Sequence, residues 1–186
     1  MSIVNPNRLE VALYVAFART FGRSEYTRFI DGMGLKGKER VMDFGSGPGV
    51  MAGMLAQRLE GSGGTVTCVD ISKKWIEVAK RRLSGFRNVE FMLGDIRTMP
   101  VPEESFDVIS IHYVIHDVDA SMRPGVVAAL ARALKPGGRI LVDEPRKTGH
   151  SLPQPEVKKL FMEVGMKEVD SKFTRLSYIG KFEKTS

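Results

Sequence analysis

Apolar and polar positions along this chain alternate between two periods. From residue 36 onward, apolar runs of strand length are separated by stretches in which apolar residues recur every three or four positions. That rhythm predicts parallel strands joined by helices that cover both faces of a sheet. Arg40 to Phe44 reads as the first strand. The helix after it begins near Pro48, a residue favoured in a first helical turn, and sets Met51, Met54, Leu55 and Leu59 on one face. Gly61-Ser62-Gly63-Gly64 closes it with a turn. Thr65 to Asp70 is the second strand. Ser72 then caps a helix that turns Ile76, Ala79 and Leu83 inward. Val89 to Leu93 and Phe106 to His112 are the third and fourth strands. Arg123 to Leu134 is a helix stopped by Lys135-Pro136-Gly137-Gly138, and Arg139 to Asp143 is the fifth strand. Glu156 to Val164 is a helix with Val157, Leu160, Phe161 and Val164 on one face, ended by Gly165.

Both ends depart from the rhythm. Two helical segments come first, Asn7 to Arg19 and Ser24 to Met33; the former buries Leu9, Leu13, Ala16 and Phe17. Met166 to Asp170 and Lys172 to Phe182 read as two strands, and their tight connection forces antiparallel pairing. The expected organisation is one α/β domain, with a helical cover over residues 1–35 and a core over residues 36–186.

Composition narrows the class. The 186 residues suit one domain with a full core, and 42% hydrophobic with 27% charged content is ordinary for a soluble protein. No apolar run approaches the ~18 residues of a membrane span. Val11 to Ala18 is flanked by Glu10 and Arg19, so it is not expected to act as a leader, and a cytoplasmic location is expected. A single cysteine, Cys68, excludes an internal disulfide and a cysteine-cluster metal site. The net charge of +6 comes from scattered Lys and Arg. The densest cluster, Lys80-Arg81-Arg82, falls on a predicted helix and reads as a solvated face.

The chemistry concentrates where the first strand ends. Val41-Met42-Asp43-Phe44 runs into Gly45-Ser46-Gly47-Pro48-Gly49. Alternate glycines between a strand and a helix let a ligand approach bare backbone. A dinucleotide fingerprint would read Gly-x-Gly-x-x-Gly and would not require the acid at Asp43. Asp70 ends the next strand, and Gly94-Asp95 follows the one after.

From Val41 to Gly49, and again at Leu134-Lys135-Pro136-Gly137-Gly138-Arg139, the chain resembles the class I S-adenosylmethionine-dependent methyltransferases. The resemblance covers about residues 36–184 and implies a doubly wound, mostly parallel seven-stranded sheet whose last strand is antiparallel. It also implies S-adenosylmethionine as cofactor. Gly45, Ser46, Gly47 and Gly49 would cradle its amino-acid tail and ribose, with Asp43 near its ammonium or holding the loop. Asp70 would accept from the ribose hydroxyls, since a carboxylate can take both bonds; as a bare feature it also reads as a helix cap. Asp95, after Gly94, would accept from the adenine amine or serve as a turn residue, and Ile71 and Ile96 would pack on the ring. His112 would stand beside the sulfonium.

The acceptor end is less determined. Tyr14, Phe17 and Tyr26 on the N-terminal helices, Tyr113 and His116 after strand four and Glu144 after strand five are candidates to line its pocket, though Phe17 also reads as core. His116 is the candidate general base, or else a pocket wall or helix-start residue. No metal is expected, because His112 stands where a magnesium-binding relative would place its first acid. The chain lacks an Asn-Pro-Pro-Tyr-type motif and a paired-glutamate loop after strand four, and Cys68 lies inside strand two. A small organic methyl acceptor is therefore expected, with no nucleic-acid or membrane partner and a monomer or homodimer. An RNA or protein acceptor, or a non-catalytic cofactor-binding role, is the alternative.

Overall fold

A computed structural model describes residue 15, residues 23–146 and residues 151–185. The expected Asn7 to Arg19 helix lies outside the described residues except for Val15, which is helical. Tyr14 and Phe17 lie outside them too. The chain divides into two compact units, Met1–Asp95 and Ile96–Ser186.

The first unit contains α1 (Arg23–Gly32), β1 (Arg40–Phe44), α2 (Val50–Leu59), β2 (Thr65–Asp70), α3 (Lys73–Arg82) and β3 (Val89–Leu93). β2 pairs in parallel with both β1 and β3, through Met42↔Thr67 and Cys68↔Phe91 among others. Val41, Met42, Val66, Cys68 and Val69 are fully buried, as continuous apolar strands in a covered parallel sheet should be. α2 starts later than Pro48, because Gly49 sits in the left-handed region at φ 75° and the chain turns helical only after it. Ser72 caps α3 as expected, its hydroxyl accepting from the Trp75 N–H at 3.3 Å. α1 buries Tyr26, Phe29 and Ile30, and its Asp31 pairs with Arg58 of α2 at 2.7 Å.

The second unit contains β4 (Phe106–His112), a 3₁₀ turn (Ile115–Asp117), α4 (Arg123–Ala133), β5 (Leu134–Pro145), α5 (Gln154–Met162), β6 (Met166–Phe173) and β7 (Ser177–Lys184). β4 and β5 are parallel, with His112 beside Asp143 at their ends. β7 runs antiparallel to both of its neighbours, placing Gly180 opposite Val142 of β5 and Ser171 of β6. The strands form one seven-stranded mixed sheet in the order β3-β2-β1-β4-β5-β7-β6.

Three boundaries in the second unit differ from the expected ones. β5 begins at Leu134, and Lys135 to Gly138 lies within it. Its register jumps from Phe106↔Leu134 to Val108↔Arg139, so the Lys-Pro-Gly-Gly stretch is looped out as a bulge, with Gly137 at φ 70°. The Lys135 ammonium pins that bulge to Asp107 at 2.6 Å. The reversal between β6 and β7 lies at residues 174–176 instead of at Ser171. There Thr174 Oγ1 accepts from the Leu176 and Ser177 N–H groups at 3.2 and 2.9 Å, a local side-chain turn. α5 spans Gln154–Met162, so Val164 falls outside it; Pro153 and Pro155 set its start. No described helix is long and apolar enough to cross a membrane.

Candidate active site

In the first unit the strand-to-helix loop is held by its neighbour strand. Gly45 and Ser46 donate to the Val69 carbonyl at 2.8 and 3.1 Å. Gly47 donates to Asp70 Oδ2 at 2.8 Å, and Gly49 to the Ser46 carbonyl at 2.9 Å. Gly45, Gly47 and Gly49 have φ of 70°, 50° and 75°, conformations that side chains oppose. Two of these glycines differ in what surrounds them. A Cβ on Gly49 would stand 2.9 Å from Leu83 Cδ1 and 3.2 Å from Ala79 Cβ, so Gly49 lets α3 pack closely. A Cβ on Gly47 would meet nothing within 4 Å. Gly47 therefore presents bare backbone on the open side of the loop.

Two acids flank the loop. Asp43 is buried, opposite Cys68 in the ladder. Burial, and then the Asp43 carboxylate, push the Cys68 thiol well up, so it stays an inert thiol. Asp70 is also buried, which raises its carboxyl above the usual range against the N–H groups of Ser72, Gly47 and Ile71 that favour its anion. Its Oδ1 accepts from Ser72 at 2.8 Å, as Oδ2 does from Gly47. With the Ile71 N–H also on the carboxylate, its capacity of about four lone pairs leaves room for a ribose hydroxyl. The helix-cap role belongs to Ser72 and not to Asp70. Gly94 bonds to the Asp70 carbonyl at 3.1 Å with φ 149°, and Asp95 beside it is half-buried. Ile71 is 59% exposed, whereas Ile96 is 4% exposed, so the two isoleucines are not equivalent surfaces. An open left-handed loop, an acid with spare lone pairs and an exposed isoleucine fit a nucleoside cofactor with an amino-acid tail.

In the second unit the strand ends carry four sequence-predicted residues in two pairs, His112 with Tyr113 and His116 with Glu144. Tyr113 leaves β4 at φ 58°, a strained conformation for a residue with a Cβ, and donates its N–H to the Asp143 carbonyl at 2.8 Å. The His112 and Tyr113 rings lie 4.4 Å apart. Burial holds His112 down to about 4, although Asp143 Oδ2 is 3.6 Å from its Nε2; it is neutral at pH 7. His116 is shifted the other way. Burial lowers it, but the hydrogen bond and charge of Glu144 and the charge of Asp117 prevail over burial and Arg123, leaving it raised. Its Nδ1 is 2.6 Å from Glu144 Oε2 and its Nε2 is 3.4 Å from Asp117 Oδ1.

Glu144 does not line a pocket surface, contrary to expectation. It is completely buried, and its oxygens accept from the N–H groups of Val114, Ile115 and His116 at 3.2, 2.7 and 3.3 Å as well as facing the His116 ring. Tyr26 is likewise buried, within α1. Arg123 was missed from the sequence. It donates to the Val118 carbonyl at 2.9 Å, to the His116 carbonyl at 3.2 Å and to Glu156 at 2.8 Å. Its only sequence signal is its place at the start of α4. Among the described residues, no three His, Cys, Asp or Glu side chains are grouped to hold a metal ion.

The methyltransferase-domain family matches residues 41–138, from the last turn-free stretch of β1 through the β5 bulge and over more than half of the chain. The chain belongs to that family, the class I S-adenosylmethionine-dependent methyltransferases. A demethylmenaquinone methyltransferase from Clavibacter sepedonicus is 38% identical over 57% of this chain and 41% of its own. A ubiquinone/menaquinone biosynthesis C-methyltransferase from Teredinibacter turnerae is 37% identical over 64% of this chain and 48% of its own. This methyltransferase chain thus spans less than half the length of those curated relatives. A TehB-like S-adenosylmethionine-dependent methyltransferase from Corynebacterium glutamicum shares the fold at a TM-score of 0.77 and 21% identity, covering 96% of this chain and all of its own.

Proposed function

We propose that this methyltransferase carries the S-adenosylmethionine methyl group to a small organic acceptor, with an electron-rich ring of the quinol type as the leading candidate. The observation that carries the reading is the bare Gly47 backbone bonded to Asp70. It combines an open approach with a carboxylate able to accept from a ribose hydroxyl. The names of the two quinone-pathway relatives support the acceptor class.

The cofactor supplies an electrophilic methyl on a sulfonium. Everything else falls to the chain. Asp70 orients the ribose, Gly45 to Gly49 hold the tail against backbone, and exposed Ile71, with Gly94 and Asp95, forms the adenine side, whereas Ile96 is buried and offers the ring no open face. Asp43 supplies negative charge beneath the loop. His112, neutral at pH 7, adds no positive charge beside a sulfonium. Tyr113 and His116 form the acceptor wall. His116 keeps its proton to higher pH than a free imidazole, and with its ring tied to Glu144 it is assigned an orienting role at the acceptor. Methyl transfer then rests on proximity and alignment.

The test is transfer of labelled methyl from S-adenosylmethionine to a panel of quinols, phenols, amines, RNA and protein. Labelling of a quinol or phenol is expected. Labelling of RNA or protein alone would overturn the acceptor class. Bound cofactor with no transfer to any member would replace the enzyme with a binding role.

A further inference from the structure

Residues 113–118 are an unusual place to spend a buried charge. Tyr113 is held at positive φ, which costs roughly 1–3 kcal/mol and persists only where neighbours over-determine it. Two neighbours do so. Glu144 reaches up from β5 and takes the three successive N–H groups of Val114, Ile115 and His116, together with the His116 ring. Those four donors use the lone-pair capacity of one carboxylate. Arg123 reaches back from α4 and takes carbonyls of the same segment, His116 and Val118, while Glu156 of α5 fixes its guanidinium. The turn is thus gripped on its donors by an anion and on its acceptors by a cation. The two grips come from different elements, β5 and α4.

We propose that Glu144 and Arg123 are positioning residues that clamp the turn after β4 and present the His116 ring at a fixed angle to the acceptor. The clamp sets acceptor binding and specificity; it does not hold the cofactor. This inference rests on the acceptor reading given above, but its first test does not. Among the described residues, the titratable and charged groups facing the His116 ring are Glu144, Asp117 and Arg123. Glu144 and Asp117 favour the imidazolium and Arg123 opposes it, so removing Glu144 and removing Arg123 must move the ring in opposite directions.

The experiment uses the full chain with its three histidine rings titrated by NMR, and His116→Gln assigns the signal. Glu144→Gln should lower the His116 midpoint, and Arg123→Met should raise it. Backbone exchange at residues 114–116 should quicken about tenfold or more in Glu144→Gln, the scale for losing hydrogen bonds to a charged acceptor. A His116 midpoint that moves the same way in both variants, or in neither, overturns the clamp whatever the enzyme's activity. If Glu144→Gln fails to fold, Arg123→Met alone still decides by the sign of its shift. With an acceptor in hand, both variants should raise the acceptor KM several-fold while S-adenosylhomocysteine affinity, read by calorimetry, stays at the wild-type value. Loss of cofactor affinity with an unchanged acceptor KM overturns the assignment to the acceptor side. If the ring shifts are as expected and wild type methylates nothing, the clamp stands and the acceptor reading falls.

Discussion

Gly47 and Gly49 lie two residues apart in one loop, share the left-handed conformation, and should fail in different ways when a methyl group is added. Ala at either position pays a left-handed penalty of roughly 1–2 kcal/mol. At Gly47 that is the whole cost to the folded chain, because the new Cβ meets nothing within 4 Å. At Gly49 the Cβ also lands 2.9 Å from Leu83 Cδ1, 3.2 Å from Ala79 Cβ and 3.4 Å from Ala79 Cα. The leucine tip can yield, but the Ala79 contact is with the body of α3 and cannot. Overpacking of that kind adds roughly 1–3 kcal/mol. Gly49→Ala should therefore lose about 2–5 kcal/mol and Gly47→Ala about 1–2 kcal/mol. For a domain of this size each kcal/mol lowers Tm by roughly 2–4 °C. The order reverses for the ligand. The methyl of Gly47→Ala points to the open side of the loop and should weaken S-adenosylhomocysteine binding at least about tenfold, roughly 1.4 kcal/mol. Gly49→Ala should bind within a few-fold of wild type at a temperature where it is folded. Thermal unfolding and calorimetric titration of the two variants settle the matter. Wild-type affinity in Gly47→Ala would refute the argument that this face of the loop meets the cofactor. Equal destabilisation of the two would refute the packing role of Gly49.

Three further outcomes follow from the same geometry. Asp70→Ala should weaken S-adenosylhomocysteine binding by roughly 1–3 kcal/mol in calorimetry, the scale for a lost hydrogen-bonded charge; unchanged affinity would remove the ribose role. His112 should make the fold acid-sensitive. Its folded value of about 4 lies below the ordinary 6.5, so the unfolded chain binds the proton first and stability is lost as pH falls from 6.5 to 4. At about 1.4 kcal/mol per pH unit the loss is about 3 kcal/mol, and denaturant unfolding of His112→Asn should show a flatter slope over that window than wild type; parallel slopes would contradict the burial argument. Cofactor binding should be indifferent to EDTA, since no described cluster is built for a cation; a metal requirement in the titration would reverse that expectation.

The glycine loop and the acids beside it were legible because their signals are local. The loop from Gly45 to Gly49 is contiguous, Asp70 and Gly94 each end a strand that the apolar pattern marks, and Ser72 caps the helix its sequence announces. The strand limits of β1, β2, β3 and β4 fall where β-branched and apolar runs start and stop. The errors lie where glycine and proline carry two meanings. Lys135-Pro136-Gly137-Gly138 stops a helix, as read, but it is absorbed as a bulge inside β5 instead of standing outside the strand. Thr174 makes the β6–β7 turn with its own hydroxyl, without the glycine that a turn search looks for.

The turn after β4 was harder to read because what holds it is far apart in the chain. Glu144 acts on residues 28 to 30 positions earlier, and Arg123 joins that turn to Glu156, 33 positions later. No periodicity encodes such pairings. A glutamate at the end of a strand reads as a surface acid until the backbone shows three N–H groups converging on it. The same convergence changes what His116 can be. As an isolated histidine after a strand it is a candidate base; tied to a buried carboxylate, its ring is held in place and keeps its proton to higher pH. Its neighbour His112, four residues away and also near a carboxylate, is driven the opposite way because burial outweighs Asp143 at 3.6 Å. Residue type alone would have given the two rings one role. Burial decides the one, and the direct bond to Glu144 decides the other.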